Sequence, residues 1–202
     1  NPRERRQWQC TGATDSRFRA LFTFSITTGL REGEALGLRW ADVNLEAGTI
    51  EVNNTLHRRD WVWHFESTKS ESGTRTIKLT SLMMNLLAQH RESQRAERLL
   101  AGDAWQDYGV VFATHKGGPL GARNVFRDYK KAQKQANLRK QTYHDLRHAA
   151  AKLLIESGAM TLSEVSKFLG HAGIQITSDY YLHLSVEAQS KSMDILDAAL
   201  TS

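Results

Sequence analysis

One cysteine, Cys10, stands in this 202-residue chain. It excludes an internal disulfide and any zinc site built from several thiolates, and it suits a reducing, cytoplasmic setting. Two prolines occur, Pro2 and Pro119, and no repeat, low-complexity tract or Pro/Ser linker divides the chain. No apolar run approaches the roughly 20 residues that cross a bilayer, so no membrane is expected as a partner. The opening residues Asn1 to Arg6 lack both a Met and the apolar core of a secretory signal. They read as an internal cut, with 1–14 the remnant of a linker. The whole of 1–202 then reads as a single domain.

Hydrophobic residues make up 40% of the chain, enough for a soluble core. The net charge of +5 says little as a total, but its distribution is uneven. From Arg123 to Lys152 nine basic residues (Arg123, Arg127, Lys130, Lys131, Lys134, Arg139, Lys140, Arg147 and Lys152) face only Asp128 and Asp145. A solvated helix face is the plain explanation of such a run. Beside His144 and Arg147, a surface for a phosphate backbone is the better one.

The hydrophobic pattern predicts a mostly helical fold with a small sheet. Asp15 can cap a helix carrying Phe18, Leu21, Phe22, Phe24 and Ile26 as far as Thr28-Gly29-Leu30. Arg31 to Trp40 opens a second short helix. Thr49 to Arg58, Trp61 to Phe65 and Arg75 to Leu79 read as three strands, with Ser72-Gly73 a turn, and so as an antiparallel meander. Thr80 or Ser81 starts a long amphipathic helix that Gly102-Asp103 ends. Further helices are expected over Ala122 to Asn137, over His144 to Glu156, and after the capping box Thr161-Leu162-Ser163-Glu164 as far as Gly170. A last amphipathic helix falls between Val186 and Leu200.

The chemistry concentrates late in the chain. His144 and Arg147, three apart, share one helix face. Leu169-Gly170-His171 and Asp179-Tyr180-Tyr181-Leu182-His183 follow. Imidazoles, a guanidinium and a phenol, without a carboxylate cluster to hold a metal, suit metal-free chemistry on a phosphodiester. Taken singly each residue has a plainer reading: Arg31 a surface partner of Glu34, Lys69 a solvated lysine, His144 and His171 helix-end caps, Tyr180 and Tyr181 half-buried tyrosines.

Five blocks in order resemble the catalytic domain of the tyrosine recombinases, the phage integrase family. They are Thr28-Gly29-Leu30-Arg31-Glu32-Gly33-Glu34; Ser67-Thr68-Lys69 ahead of Arg75-Thr76-Ile77; His144-Asp145-Leu146-Arg147-His148; Leu169-Gly170-His171-Ala172-Gly173-Ile174; and Asp179-Tyr180-Tyr181-Leu182-His183. The resemblance implies an α+β domain with a small three-stranded antiparallel sheet, and site-specific cleavage and rejoining of DNA through a 3′-phosphotyrosyl bond, without cofactor, metal or ATP. Arg31 and Arg147 would hold the scissile phosphate, with Glu34 orienting Arg31. Lys69 would protonate the leaving 5′ oxygen, and His144 and His171 would donate to the phosphate or assist proton transfer. Asp145 and His148 would serve packing and hydrogen bonding.

Either tyrosine suits the family's spacing; the Asp179-x-Tyr181-x-His183 pattern favours Tyr181 as nucleophile, with Tyr180 its neighbour. Implied too are double-stranded DNA as partner, a tetramer on two DNA sites, a monomer in free solution, an absent upstream DNA-clamping domain, and the cytoplasm of a bacterial host. Residues 186–202 would pack at home or on a neighbouring protomer. Two rivals remain: a type IB topoisomerase-like relaxing activity, and a DNA-binding regulator without catalysis.

Overall fold

The computed structural model describes residues 16–68, 74–158 and 160–170. Helix α1 (Ser16–Thr28) supplies the centre of the core, where Leu21 and Phe24 are fully buried. It ends at Gly29, whose φ of +64° lets its N–H return to the Ser25 carbonyl at 2.9 Å. The short α2 (Glu32–Gly37) follows, then a single 3₁₀ turn, Trp40–Asp42. A Cβ on Gly37 would lie 2.9 Å from the Leu56 backbone nitrogen. Glycine therefore allows α2 to lie directly on a strand.

Five strands come next: β1 (Val43–Asn44), β2 (Thr49–Val52), β3 (Asn54–Arg59), β4 (Val62–Ser67) and β5 (Arg75–Lys78). The fold is mostly helical with small antiparallel sheets, as the pattern implies, but the strands do not form a meander. The stretch Thr49 to Arg58 divides at Asn53. Its first half joins a three-stranded sheet of order β1-β2-β5, and its second half pairs with β4 in a separate hairpin. Asn53 is held outside both ladders. Its carbonyl accepts the Thr68 N–H at 3.0 Å and its amide donates to Asp42 Oδ1 at 3.3 Å. Alternation reports which face a side chain takes, not which strand it meets, so both halves read as one strand. Trp61, expected to open a strand, instead lies in the two-residue turn with Asp60, at φ of +66° and +48°.

Long helix α3 (Ser81–Ala101) is capped by the Thr80 hydroxyl, which accepts the Met83 N–H at 3.3 Å, and it stops at Gly102. Helices α4 (Ala122–Gln135), α5 (His144–Glu156) and α6 (Leu162–Leu169) complete the described fold. Thr161 and Glu164 cap α6 reciprocally, the backbone N–H of Thr161 reaching Glu164 Oε2 at 2.7 Å and that of Glu164 reaching Thr161 Oγ1 at 3.3 Å. The main core joins α1 and α2 to Ile50, Val52, Ile77, Met83, Leu87, Phe112 and Val125, so the three-stranded sheet and the helices around it share one interior. Burial of such side chains stabilises by about 1.5–3 kcal/mol each. No helix among the described residues is long and apolar enough to cross a membrane.

Candidate active site

The turn between α1 and α2 projects Arg31. At the N-cap of α2 its backbone N–H donates to Glu34 Oε2 at 3.0 Å, and its Nη1 reaches Glu34 Oε1 at 2.8 Å. Nη2 donates to the Gly170 carbonyl at 3.0 Å. Arg31 is thus held on two sides while its side chain remains 44% exposed. Glu34 is its opposite in setting, with only 2% of its side chain exposed. Burial by itself would raise this carboxyl. Hydrogen bonds and charge from Arg75, with the donors of Arg31, outweigh that and hold it below the ordinary value.

Arg147 enters from α5 and is nearly inaccessible, at 2% exposure. Its Nη1 donates to the Gly29 carbonyl and its Nη2 to the Leu169 carbonyl, both at 2.8 Å. Arg75 Nε reaches the Phe168 carbonyl at 2.8 Å. Three guanidiniums therefore hold three consecutive carbonyls, 168 to 170, at the end of α6. Those carbonyls lack partners within the helix and carry its partial negative charge, so cations suit them. His171 is the next residue in the chain.

Gly29 makes this convergence possible. A Cβ there would come 2.5 Å from Leu169 Cδ2 and 3.3 Å from Ala150 Cβ, in a backbone conformation that side chains disfavour. The turn after α1, helix α5 and helix α6 meet at that point.

His144 begins α5 and is exposed. Tyr143, just before it, is buried, and its hydroxyl bonds that of Ser25, anchoring the start of α5 to α1. Burial pushes the Tyr143 phenol well above its ordinary value. Asp145 accepts the Thr142 N–H at 2.6 Å and the Thr142 hydroxyl at 2.9 Å, closing the first turn. Partial burial, together with the Arg147 charge, keeps His144 below the ordinary 6.5, against the opposing pull of Asp145. His148 meets it edge-on, ring centres 4.6 Å apart, and burial followed by the charge of His144 lowers it likewise. An imidazole depressed in this way is neutral at pH 7 and able to accept a proton.

The seven cations expected at DNA occupy a different place. Arg123, Arg127, Lys130, Lys131 and Lys134 lie on the exposed side of α4, with Arg139 and Lys140 in the segment after it, all exposed. Arg127 pairs with Asp128 at 3.2 Å and Lys130 lies over the Phe126 ring at 4.2 Å.

The structure brings Arg31, Glu34, His144 and Arg147 together. Lys69, His171, Tyr180 and Tyr181 lie outside the described residues, as do Asp15, the Ser72-Gly73 turn and the closing helix from Val186. Among the described residues no three His, Cys, Asp or Glu side chains gather as metal ligands. Arg75, to which the resemblance gave no role, is a member of the cluster. The sequence does carry a signal for it. Arg75 stands two residues before the buried Ile77 on one strand, hence on the inward face, where a cation needs a carboxylate.

This arrangement of helices and small antiparallel sheets matches solved recombinase structures. The fold superposes on the Tn1549 transposon integrase, solved in complex with transposon right end DNA, with a TM-score of 0.73 at 21% identity over 90% of this chain and 59% of that one. The family description "Phage integrase family" matches residues 7–188, and the chain belongs to that family. It is 32% identical over 193 residues to a tyrosine recombinase XerC-like protein of Caldanaerobacter subterraneus subsp. tengcongensis. It is 35% identical over 168 residues to an integrase of Streptomyces ambofaciens. These alignments take in 90% and 80% of this chain but 49% and 43% of the relatives, so the chain spans about half the length of the curated relatives it matches.

Proposed function

We propose that this chain is the catalytic part of a site-specific DNA recombinase that cuts and rejoins strands through a phosphotyrosyl intermediate. The carrying observation is the pair Arg31 and Arg147, fixed on adjacent carbonyls of α6 immediately before His171. Two guanidiniums held at one helix end are organised in advance to receive a phosphate and the charge that grows on it during attack. The Tyr181 oxygen attacks phosphorus, the bond to the 5′ oxygen breaks, and Lys69 returns a proton to that oxygen. The phenol is weak near its ordinary value of about 10, so its proton must leave during attack, and neutral His144 can accept it. A 5′ hydroxyl from a partner duplex reverses the step and rejoins strands. Bond energy is conserved throughout, so neither metal nor ATP enters.

Glu34 orients Arg31, His171 assists at the phosphate, and Tyr180 neighbours the nucleophile. The exposed cations from Arg123 to Lys140 take the DNA backbone. The working assembly is a tetramer on two DNA sites formed from free monomers, in the cytoplasm of a host bacterium. Incubation with a nicked suicide half-site, followed by mass-spectrometric mapping of the DNA-linked peptide, tests the reading. An adduct on Tyr181 is the expected result, and one on Tyr180 moves the nucleophile by one residue. DNA bound without any adduct would overturn catalysis and leave a binding module.

A further inference from the structure

We infer that Arg75 is a positioning residue for strand cleavage: by sharing Glu34 with Arg31 it fixes the Arg31 guanidinium and keeps its charge from being cancelled. The inference rests on the reading of Arg31 as a phosphate ligand.

Glu34 sits at the centre of the arrangement. Its Oε1 receives Arg31 Nη1 at 2.8 Å and Arg75 Nη1 at 3.4 Å. Its Oε2 receives the Arg31 backbone N–H at 3.0 Å and Arg75 Nη2 at 2.9 Å. Both oxygens are divided between the two arginines, which fixes the carboxylate plane and with it the direction of Arg31. Arg75 is itself buried, with 9% of its side chain exposed, and is anchored a second time by the Phe168 carbonyl at 2.8 Å.

The charge count gives the arrangement its purpose. Arg31 and Glu34 alone form a neutral pair, and a neutral pair offers an incoming anion little attraction. Arg75 supplies the second positive charge, so the trio carries a net positive charge, and the solvent-facing member is Arg31. Inside a protein, where charges are poorly screened, that surplus counts for more than it would in water. Arg75 also donates to the Phe168 carbonyl, so one side chain ties Glu34 of α2 to the end of α6.

The test uses the whole chain and single-turnover cleavage of the nicked half-site, with DNA affinity and thermal unfolding measured in parallel. Arg75→Met is expected to slow cleavage by about 10²-fold while DNA affinity changes little, because misplacing a group aimed at the reacting atoms costs about that much. Arg75→Lys keeps the charge but loses the two-pronged grip, and its loss is expected to be smaller. Glu34→Gln combined with Arg75→Met restores a net positive charge and is expected to recover part of the rate that Arg75→Met removes. It also takes away the buried carboxylate that Arg75→Met leaves with Arg31 as its one arginine partner.

A half-site with a neutral methylphosphonate at the scissile position separates positioning from a merely structural role. That group lacks the negative oxygen that Arg31 would meet, so the penalty of Arg75→Met should shrink on it. Equal losses on both half-sites, or parental cleavage by Arg75→Met, would each overturn the inference. Absence of any adduct with the parent chain would instead sink the recombinase reading, and this inference with it.

Discussion

Arg147 and the lysines of α4 carry the same charge in opposite settings. Arg147 lies in the interior, bonded to the Gly29 and Leu169 carbonyls, whereas Lys130, Lys131 and Lys134 stand in solvent. A buried guanidinium survives only where fixed acceptors replace its water, so its position is set to within the length of a hydrogen bond. An exposed lysine keeps its water and its freedom, and contributes a field rather than a geometry. The first kind of cation suits a single phosphorus atom in a transition state. The second suits any stretch of backbone.

The sharpest way to break this contrast is to remove the interior cation. Arg147→Met should lower single-turnover cleavage by about 10²–10³-fold, the cost of losing one transition-state donor. It should also destabilise the fold by about 2–5 kcal/mol in denaturant unfolding, because two buried carbonyls lose their donor. Parental stability would show that the grip on α6 is not structural.

Gly29→Ala leaves every charge in place and should cost about 1–3 kcal/mol, through the strained backbone and the clash with Leu169. If the interior arginine works by geometry, cleavage should fall with it although no functional group has been removed. Unchanged melting and cleavage would mean that α6 can move aside freely.

The pH response probes the same geometry more gently. His144 and His148 are both held below 6.5 when folded, so the unfolded chain binds more protons between those lowered values and 6.5. Stability then rises with pH through that window and is flat above it; acidification costs stability as pH falls below 6.5. Cleavage should fall only at the acid edge of that window and below it, as the folded His144 takes up a proton, and a His144→Asn variant should lose that dependence. A His144→Asn profile with the same acid fall as the parent would remove His144 from proton transfer.

The smallest effect on the fold is expected at the exposed face. Replacing Lys130, Lys131 and Lys134 with glutamine should leave unfolding unchanged. It should reduce the salt dependence of DNA binding by about 0.9 in logarithmic slope for each phosphate no longer neutralised. Cleavage within the bound complex should remain as before. An unchanged slope would place the DNA on another surface.

The two regions also differ in how well they can be read from the chain. Helices α1, α3, α5 and α6 are legible because local chemistry marks their ends: Gly29, Thr80, Gly102, and the Thr161–Glu164 box. The basic character of α4 is equally plain, since charge density is a property of composition. The strand pairing is not legible. Asn53 leaves the ladder through contacts with Asp42 and Thr68, and nothing within the strand announces them.

What the sequence by itself determined is therefore local: helix boundaries, the alternation of the strands, the order of the five blocks and the basic run. These depend on residues within a few positions of one another. Tertiary structure alone decided that Glu34 serves two arginines 44 positions apart, Arg31 and Arg75. It likewise decided that three guanidiniums close on the carbonyls of one helix end. Buried charge and unpaired carbonyls must be satisfied by whatever the fold brings within hydrogen-bonding reach, and that reach runs through space rather than along the chain.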